Sequence, residues 1–502
     1  MAAINSKKSF VTYIVAAIVL VVLANVVSRN FFFRWDLTEN KIYSLSPSSK
    51  GVIAKIDDLL TAKVYFSENL PGQYGNTQRY LQDILEEYAA YSGGNFRFEF
   101  YQPDDDEQLG LEAQKSGIQP VQLQVIENDK MEVKRVYMGM VLLSGDKREV
   151  LPVIQTTTGL EYEITTKIKK LVDSNRPVIG IAAISGQNPK IENLSNELRE
   201  AYEVRQVVLG GGVAPEVSLL IVAGVEDSLS GPEMASLNGF VNRGGNLFVT
   251  QSRIKGDLQS QMGQPIDTNI FEILDRFGVA VANNLVMDQQ SGTITVSQQR
   301  GFLRFNSQVQ YPFFPVIQSF PNNDMVSGLE QLQLLFSSEI TFDRADSNVT
   351  VEPILVTSDN SSSQSGYINL NPIQNKSFEG LNEPGKVVGV YATAKSDSLP
   401  GTVSQLVLLG NSSFLVDDGG GQIPENSIFV MNAVDVLVGD KDLVGLRSRE
   451  ITARPLLPVD DASKTTWKTL NILLPAFLVI LLGFIQWRLE VARTRRLEEL
   501  YG

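Results

Sequence analysis

Residues 217–250, VSLLIVAGVEDSLSGPEMASLNGFVNRGGNLFVT, decide the fold of the larger part of the chain. The segment opens with an apolar run, Val217 to Ala223, which is typical of a strand buried in a parallel sheet. Ser230 and Glu233 have the spacing of a helix capping box, and Gly244-Gly245 is a helix stop signal. A second apolar run, Leu247 to Thr250, follows that stop. The pattern therefore predicts the strand, helix and strand of an open α/β sheet.

Similar units lie on both sides of this segment. Val178 to Ile184 is another apolar strand, followed by Ser185-Gly186-Gln187 and a predicted helix from Ile191 to Ala201. Val403 to Leu409 predicts a later strand of the same sheet, followed by a helix from Asn426 to Val438. We expect a Rossmann- or flavodoxin-like domain over residues 160–450, with a ligand crevice at the carboxyl ends of its strands. Gly210-Gly211-Gly212 lacks the spacing of a dinucleotide-binding fingerprint, so no cofactor is expected.

A strand-rich stretch at about residues 280–400 is expected to be an insertion in this domain, because it is also rich in Ser, Asn and Gln. It contains an apolar knot, Tyr311-Pro312-Phe313-Phe314-Pro315. This knot could be a partner site or buried packing, and the sequence favours packing.

The smaller domain is predicted over residues 36–155. Strand and helix patterns alternate in the order β-α-β-α-β-β, which suggests a thioredoxin-like fold; the segments are 62–66, 77–91, 96–101, 107–115, 121–126 and 133–143. The run Asp104 to Glu107 could ligate Ca²⁺, although acidic residues at a helix N-terminus also complement the helix dipole, and we favour that interpretation.

The composition excludes whole classes of chemistry. The chain has no His and no Cys, which rules out Ser-His-Asp and Cys-His catalysis, CxxC redox chemistry, disulfides and metal sites built from those ligands. We therefore expect no enzyme activity and no catalytic or metal-binding residues. The stretch between residues 28 and 466 carries 36 basic and 54 acidic residues, a formal charge of -18. Such a surface disfavours binding to nucleic acid.

Two uncharged stretches predict membrane spans, at residues 10–28 and 467–487. A cleaved signal peptide is the alternative for the first, and a buried core helix for the second, but the length of the first run and the basic tail after the second favour anchors. The second span contains Asn471, Pro475 and Gln486, and we predict that these residues contact a partner in the membrane.

Lys7 and Lys8 precede the first span and four Arg residues follow the second, so both termini are predicted to face the cytoplasm. The organisation expected is a cytoplasmic N-terminus (1–9), the first span, the two domains, a linker (451–466), the second span and a basic tail (488–502). The body would then lie outside the cytoplasmic (inner) membrane of a bacterium, in the periplasm.

The segment DLTENKIYSLS after the first span, with Glu161 to Ile164, the helix-to-strand turn around Gly244-Gly245 and Asn426 to Leu437, resembles the GldG-like gliding-motility auxiliary components of ABC transporters. The first of these segments is the most specific, and in it we single out Asp36, Leu37, Thr38, Glu39, Asn40, Tyr43, Ser44 and Leu45. Where many relatives carry a Gly-His-Gly-Glu-like segment, this chain has Ser185-Gly186-Gln187-Asn188.

This resemblance implies a non-enzymatic auxiliary or substrate-binding subunit that works with an ABC-2-type permease and a cytoplasmic ATPase. It also implies a domain related to one in intraflagellar transport proteins. The chain has no Walker A motif, so another chain must bind ATP. Two alternatives are an envelope scaffold or sensor without a transporter, and an amidotransferase-like hydrolase, which the lack of His and Cys disfavours. The sequence does not identify the substrate.

Overall fold

The structure is a computed structural model, which describes residues 15, 18–20, 44–68, 70, 72–104, 106–127, 130–173, 176–187, 189–300, 303–342, 348–396, 399–440, 443–447 and 461–501. The chain forms two units, residues 1–451 and 452–502. Outside the described residues lie the predicted first span, apart from residues 15 and 18–20, and the motif residues Asp36, Leu37, Thr38, Glu39, Asn40 and Tyr43.

The first part of unit 1 contains a four-stranded sheet with the order β2-β1-β5-β6. Strand β1 pairs parallel to β2 and antiparallel to β5, and β5 pairs antiparallel to β6. One face of the sheet packs on helices α1, α2 and α4, and the other face packs on α3. The elements are α1 (Pro47–Ile53), β1 (Leu60–Phe66), α2 (Gly72–Tyr91), β2 (Phe96–Tyr101), α3 (Glu107–Lys115), β5 (Met138–Ser144), β6 (Lys147–Leu151) and α4 (Leu160–Val172).

A hairpin outside this sheet replaces part of a predicted strand. Residues 133–143 were expected to form one strand, but the structure has β3 (Val121–Glu127) paired with β4 (Lys130–Val136), and then the separate strand β5. The chain changes partner at Tyr137, whose N–H donates to Ser67 Oγ at 2.8 Å while its carbonyl accepts from Ser67 N at 2.9 Å. These two bonds tie Tyr137 to the end of β1, so the hairpin pairing stops there.

The second part of unit 1 contains a seven-stranded sheet with the order β19-β21-β22-β10-β9-β7-β8. The five strands from β22 to β8 are parallel, and β21 and β19 add antiparallel at one edge. The strands are β7 (Val178–Ala183), β8 (Glu203–Val208), β9 (Val217–Ala223), β10 (Asn246–Thr250), β19 (Val349–Val356), β21 (Val387–Lys395) and β22 (Val403–Leu409). The stretch predicted as an insertion therefore supplies two strands of the main sheet.

Both faces of this sheet are covered, which explains its apolar strands. Successive residues of β9 point to opposite sides, so Leu220 and Val222 pack under one helix layer and Leu219 and Ile221 under the other. The first layer contains α6 (Gly231–Asn242) and α7 (Phe271–Asp275), and the second contains α5 (Glu192–Ala201) and α8 (Pro424–Val438).

The rest of the predicted insertion forms small sheets beside the main one. They consist of β13 (Val279–Val281), β14 (Asn284–Asp288), β15 (Ser291–Arg300), β16 (Leu303–Ile317), β17 (Leu332–Gln333), β18 (Ile340–Phe342) and β20 (Ser361–Ser365); a further hairpin, β11 (Ile254–Asp257) and β12 (Met262–Pro265), precedes the predicted insertion. The apolar knot lies on β16, where Tyr311 and Phe313 are fully buried in an aromatic cluster. The preferred interpretation of the knot as buried packing is confirmed.

The two parts of unit 1 meet at a polar junction formed by α1, α4, α8 and the short helix α9 (Val444–Arg447). Arg447 donates to Asn432 Oδ1 at 2.6 Å and to the Tyr162 hydroxyl at 2.9 Å, and it pairs with Asp435 at 3.1 Å. The Asp435 carboxylate also accepts a hydrogen bond from the Tyr202 hydroxyl. Burial raises the pKa of Asp435 to about 6, although Arg447 and Tyr202 act in the opposite direction.

Unit 2 contains one long helix, α10 (Asp461–Tyr501), 41 residues in length. Its segment Ser463–Ala492 is long and apolar enough to cross a membrane. Among the described residues, this is the one helix that meets those criteria of length and composition.

Candidate functional site

A crevice lies at the carboxyl ends of three neighbouring parallel strands, β9, β10 and β22. It encloses about 560 Å³ and reaches Gly224 after β9, Ser252 after β10, and Ser412 and Ser413 after β22. This is the edge of the sheet at which open α/β folds bind ligands. We call this space, with the residues that line it, the strand-end crevice.

Backbone hydrogen bonds hold the three strand ends together. Gly224 N donates to Thr250 O at 2.9 Å, and Gln251 N donates to Leu409 O at 2.9 Å. The buried Gln251 side chain fastens the loop after β9, because it accepts from Val225 N at 2.7 Å and donates to Val225 O at 3.0 Å. Both sides of its amide are satisfied, so the crevice edge is fixed by the fold.

Three serines form the polar floor of the crevice. Ser252 N donates to Ser412 Oγ at 2.8 Å, and the two hydroxyls are 2.9 Å apart. Ser252 Oγ also donates to Ile254 O at 2.9 Å, and Ser413 Oγ donates to Asn411 Oδ1 at 3.0 Å. Gly224 has φ of 55°, and a Cβ there would lie 2.8 Å from Ser412 O, so a glycine is needed where the loops meet.

The opposite wall is apolar and aromatic. It is formed by Ile254, Ile266, Phe314, Leu335 and Phe336. The Phe336 and Phe314 rings are 5.1 Å apart in an edge-to-face arrangement. Phe336 has φ of 59°, a left-handed conformation that bulky residues rarely adopt. Its ring covers Gly256, where any Cβ would collide with it.

The charged residues of the crevice lie at its rim. Lys255 Nζ is 2.7 Å from Glu226 Oε1 and 2.8 Å from Oε2, and Asp418 is exposed nearby on the rim. The lysine charge is therefore matched by its own partner, and one carboxylate remains in excess among the lining residues.

The loop after β7 is hydrogen-bonded to helix α6. Ser185 N donates to Glu233 Oε1 at 2.8 Å, and Ser230 N and Oγ donate to Glu233 Oε2 at 2.8 and 2.6 Å. These bonds lower the pKa of Glu233 to about 2. The predicted capping box is confirmed, and its glutamate also fixes the segment Ser185-Gly186-Gln187-Asn188 at its first residue.

A second cavity of about 920 Å³ lies in the smaller domain, at the ends of β1 and β2. Its lining is largely polar and includes Ser67, Asp104, Gln114 and Tyr137. Asp104 accepts from Ser67 Oγ and, at 2.7 Å, from Glu68 N, and Asp106 caps α3 by accepting from Gln108 N at 2.8 Å. The acidic run thus caps a helix, as favoured; no group of three or more Asp or Glu side chains suited to a metal ion occurs among the described residues.

The predicted motif residues that the structure describes have structural roles. Leu45 is buried and its N–H donates to Glu87 Oε2 at 2.6 Å, and Ser44 lies just before it. Gly244 has φ of 89° and Gly244 N donates to Val241 O at 3.0 Å, while Gly245 N donates to Phe240 O at 3.0 Å. The two glycines end α6 and start β10, as expected for a helix stop.

Four segments singled out in the sequence are linked to one another at the junction. Ser46 N donates to Glu161 Oε1 at 2.8 Å, which joins the first segment to the second. Tyr162 reaches Asp435 through Arg447, and Asn246 Nδ2 donates to Leu437 O at 2.6 Å. These segments lie up to about 390 residues apart in the chain, and the fold brings them to one region.

Asn471, Pro475 and Gln486 lie on α10, and all three are exposed. The sequence predicted a crevice at the strand ends but did not identify its residues. Ser252, Ser412 and Phe336 lie in loops that contain no motif. The positions of Ser252 and Ser412 directly after predicted strands are the one sequence signal that could have indicated them.

Comparison with known proteins shows what two parts of the chain are similar to. Residues 176–400 match the family described as "ABC-type uncharacterized transport system", and residues 39–143 match a domain of unknown function, DUF7088. An uncharacterized protein of Borreliella burgdorferi is 21% identical over 446 residues, covering 84% of this chain and 86% of that protein.

The solved structures to which this chain is similar match it only weakly. The mmIFT52 N-terminal domain is 16% identical, with 52% of this chain and 97% of that chain covered and a TM-score of 0.34. A ThuA-like protein from Parabacteroides merdae is 10% identical, with 57% and 94% covered and a TM-score of 0.25.

These findings define an α/β protein whose long apolar helix suits a membrane-associated role. Residues 176–400 are thus similar to the family of ABC-type transport system components. The narrower resemblance to GldG-like components stays a prediction.

Proposed function

We propose that this protein is a non-enzymatic, extracytoplasmic auxiliary subunit of an ABC transporter, working with an ABC-2-type permease and a cytoplasmic ATPase. The observation that carries the proposal is the family match over residues 176–400, in a chain that also has an apolar helix at Ser463–Ala492. Because the chain lacks a Walker A motif, the energy for transport comes from the ATPase.

The proposed body consists of a thioredoxin-like domain at 36–155 and a Rossmann- or flavodoxin-like domain at 160–450. The order β2-β1-β5-β6, with β5 antiparallel, supports the first assignment, and the parallel strands from β22 to β8 support the second. We propose GldG-like membership within the family on the residues from Asp36 to Leu45, of which Ser44 and Leu45 are described.

The proposed topology has two spans, with the body in the periplasm and both termini in the cytoplasm. Because the chain lacks cysteine, single-cysteine variants test this topology without a background thiol. Tyr367 is 71% exposed, so a Tyr367→Cys variant should react with a membrane-impermeant maleimide in spheroplasts, whereas Gly502→Cys should react only after permeabilisation. Equal labelling of both variants in intact spheroplasts contradicts the two-span arrangement.

Affinity purification of the tagged full-length chain from its own host, in a mild detergent, tests the transporter assignment. We expect a polytopic permease and an ATP-binding subunit to co-purify in fixed ratio. The control is a tagged, unrelated two-span protein at the same expression level. Reproducible recovery of neither subunit would favour an envelope scaffold or sensor instead.

A further inference from the structure

The wall of the strand-end crevice is held in a conformation that costs free energy. A bulky residue with φ of 59°, such as Phe336, persists only where the surroundings impose it, and such residues cluster at ligand clamps. Here the surroundings are the Phe336 N–H, which donates to Phe313 O at 3.0 Å, and Gly256, which leaves room for the ring. Placing this aromatic ring on the crevice wall therefore lowers the stability of the folded protein.

Each serine hydroxyl of the crevice floor already donates a hydrogen bond within the protein. A serine hydroxyl has one donor and two acceptor positions. Ser252 Oγ donates to Ile254 O, so the 2.9 Å contact between the two hydroxyls requires Ser412 Oγ to be the donor. Ser413 Oγ donates to Asn411 Oδ1. In the described contacts, each of the three oxygens keeps at least one acceptor position, so the floor can accept hydrogen bonds but not donate them.

The charges of the residues that line the crevice also disfavour a ligand that accepts hydrogen bonds or carries a negative charge. Lys255 is paired with both Glu226 oxygens, and Asp418 adds an exposed carboxylate. An anionic head group would meet this carboxylate and an acceptor-only floor, and neither would stabilise it.

We propose that the strand-end crevice binds a ligand with an apolar, preferably aromatic, body and a head group that donates hydrogen bonds and carries no negative charge, such as an alcohol or a primary amide. Its volume of about 560 Å³ suits a small molecule or one residue of a larger one. This inference rests on the proposed function insofar as the ligand is the cargo or signal of the auxiliary subunit.

Three probes that differ only in the head group test the ligand class. Saturation-transfer NMR on the full-length chain in lipid nanodiscs, with empty nanodiscs subtracted, compares 3-phenylpropan-1-ol, 3-phenylpropanamide and 3-phenylpropanoate. We expect the alcohol and the amide to bind about tenfold more tightly than the carboxylate, because each donates a hydrogen bond that the anion lacks. Equal or tighter carboxylate binding overturns the head-group assignment, and no saturable binding by any probe overturns the site.

Two variants locate the binding in the crevice. Val416 lines the crevice and is half-buried, so Val416→Trp should fill the space and reduce binding of the alcohol by more than tenfold. Leu399→Trp is the matched control, since Leu399 is exposed and outside the crevice lining. If Val416→Trp lowers the melting temperature, Ser413→Ala serves instead and should reduce the preference for the alcohol over the carboxylate. Unchanged binding in the well-folded variant contradicts the proposed location.

Failure of this inference is distinguishable from failure of the proposed function. Co-purification of permease and ATPase without probe binding would leave the transporter role standing and remove the ligand site. Saturable, Val416-dependent binding without co-purification would support the site and remove the transporter role.

Discussion

Arg447 and Asp435 form an ion pair inside the protein, with Arg447 Nη1 at 3.1 Å from Asp435 Oδ2 and side-chain exposures of 7% and 0%. Arg447 also reaches Tyr162 on α4, and thereby connects the helix that follows the smaller domain to the larger one. In sequence, Arg447 is the last described residue before α10, which begins at Asp461. The pair therefore lies at the junction between the two domains.

Removing one partner of this ion pair is expected to destabilise the protein more than removing both partners. Arg447→Met leaves the buried Asp435 without its cation, and Asp435→Leu leaves the buried Arg447 without its anion; each should cost about 3 to 5 kcal/mol. The double variant Asp435→Leu, Arg447→Met should recover much of that loss, because neither charge remains buried. Thermal melting of the full-length chain in detergent measures the three variants. Additive losses would show that the two side chains are not coupled.

The titration of Asp435 should make stability fall as the pH rises. Burial raises the pKa of Asp435 to about 6 in the folded state, above the unfolded value of about 3.9. The folded state thus binds the proton more tightly, so this contribution is fully present below the unfolded pKa and is lost as the pH rises through the folded pKa. Arg447, Tyr202 and Asp440 are the charged or titratable groups that influence it.

The measurement for this prediction is the difference in melting temperature between the wild type and Asp435→Asn from pH 4 to pH 7. Asparagine does not titrate, so the difference isolates the carboxyl from other acidic groups. We expect the advantage of the wild type over the variant to shrink as the pH rises across this range. An advantage that grows with pH would mean that attraction to Arg447 outweighs the burial of Asp435.

The two glycines that end α6 should tolerate substitution less well than a glycine that has free space around it. At Gly244, φ is 89° and a Cβ would lie 2.5 Å from Thr402 Cγ2; at Gly245, a Cβ would lie 2.5 Å from the Phe240 ring. Gly244→Ala should therefore destabilise the protein by about 1 to 2 kcal/mol or more, and Gly245→Ala should do so by displacing a buried ring. Gly211→Ala is the control, because a Cβ there meets nothing within 4 Å.

Melting temperatures of the three glycine variants decide this contrast. Gly211→Ala should melt within a degree or so of the wild type, since surface changes without contacts are usually within about 0.5 kcal/mol. If Gly244→Ala and Gly245→Ala had the same melting temperature as Gly211→Ala, the turn would be free to adjust. The fold would then not require the two glycines.

The sequence predicted the elements whose signals are local. The apolar strand at Val217 to Ala223, the capping box at Ser230 and the glycine stop at Gly244 each depend on neighbouring residues, and the structure has all three. The strand predicted across 133–143 was wrong because its interruption depends on Ser67, about 70 residues away. Long-range pairing leaves no periodic signal in the segment itself.

The same distinction explains what was predicted of the candidate site. The position of the crevice followed from strand order, because carboxyl ends of parallel strands lie at one edge. The left-handed conformation of Phe336 and the direction of the serine hydrogen bonds could not be predicted from the sequence. Both depend on contacts between segments that are far apart in the chain, namely the ends of β10 and β22 and the segment that contains Phe336. Likewise, strands Val349–Val356 and Val387–Lys395 join the main sheet through contacts that no local pattern encodes.

The polar residues of the second predicted span lead to the last prediction. Asn471, Pro475 and Gln486 are exposed on α10, within the segment that is long and apolar enough to cross a membrane. In lipid, amide side chains and a proline-freed carbonyl are better accommodated against another helix than against acyl chains. We therefore propose that residues 469–487 pack on the permease.

Two full-length variants separate packing from anchoring. One replaces residues 469–487 by an unrelated apolar span of equal length, and the other, the matched control, carries only Asn471→Leu and Gln486→Leu. If the helix surface as a whole recognises the permease, the replacement should insert normally but lose most of the co-purifying permease, and the double substitution should lose less. Interhelical hydrogen bonds in membranes contribute about 0.6 kcal/mol each on average, so the amides alone should weaken recovery only several-fold. Full recovery with the replaced span would mean that α10 is an anchor only, and that recognition of the permease belongs to another part of the chain.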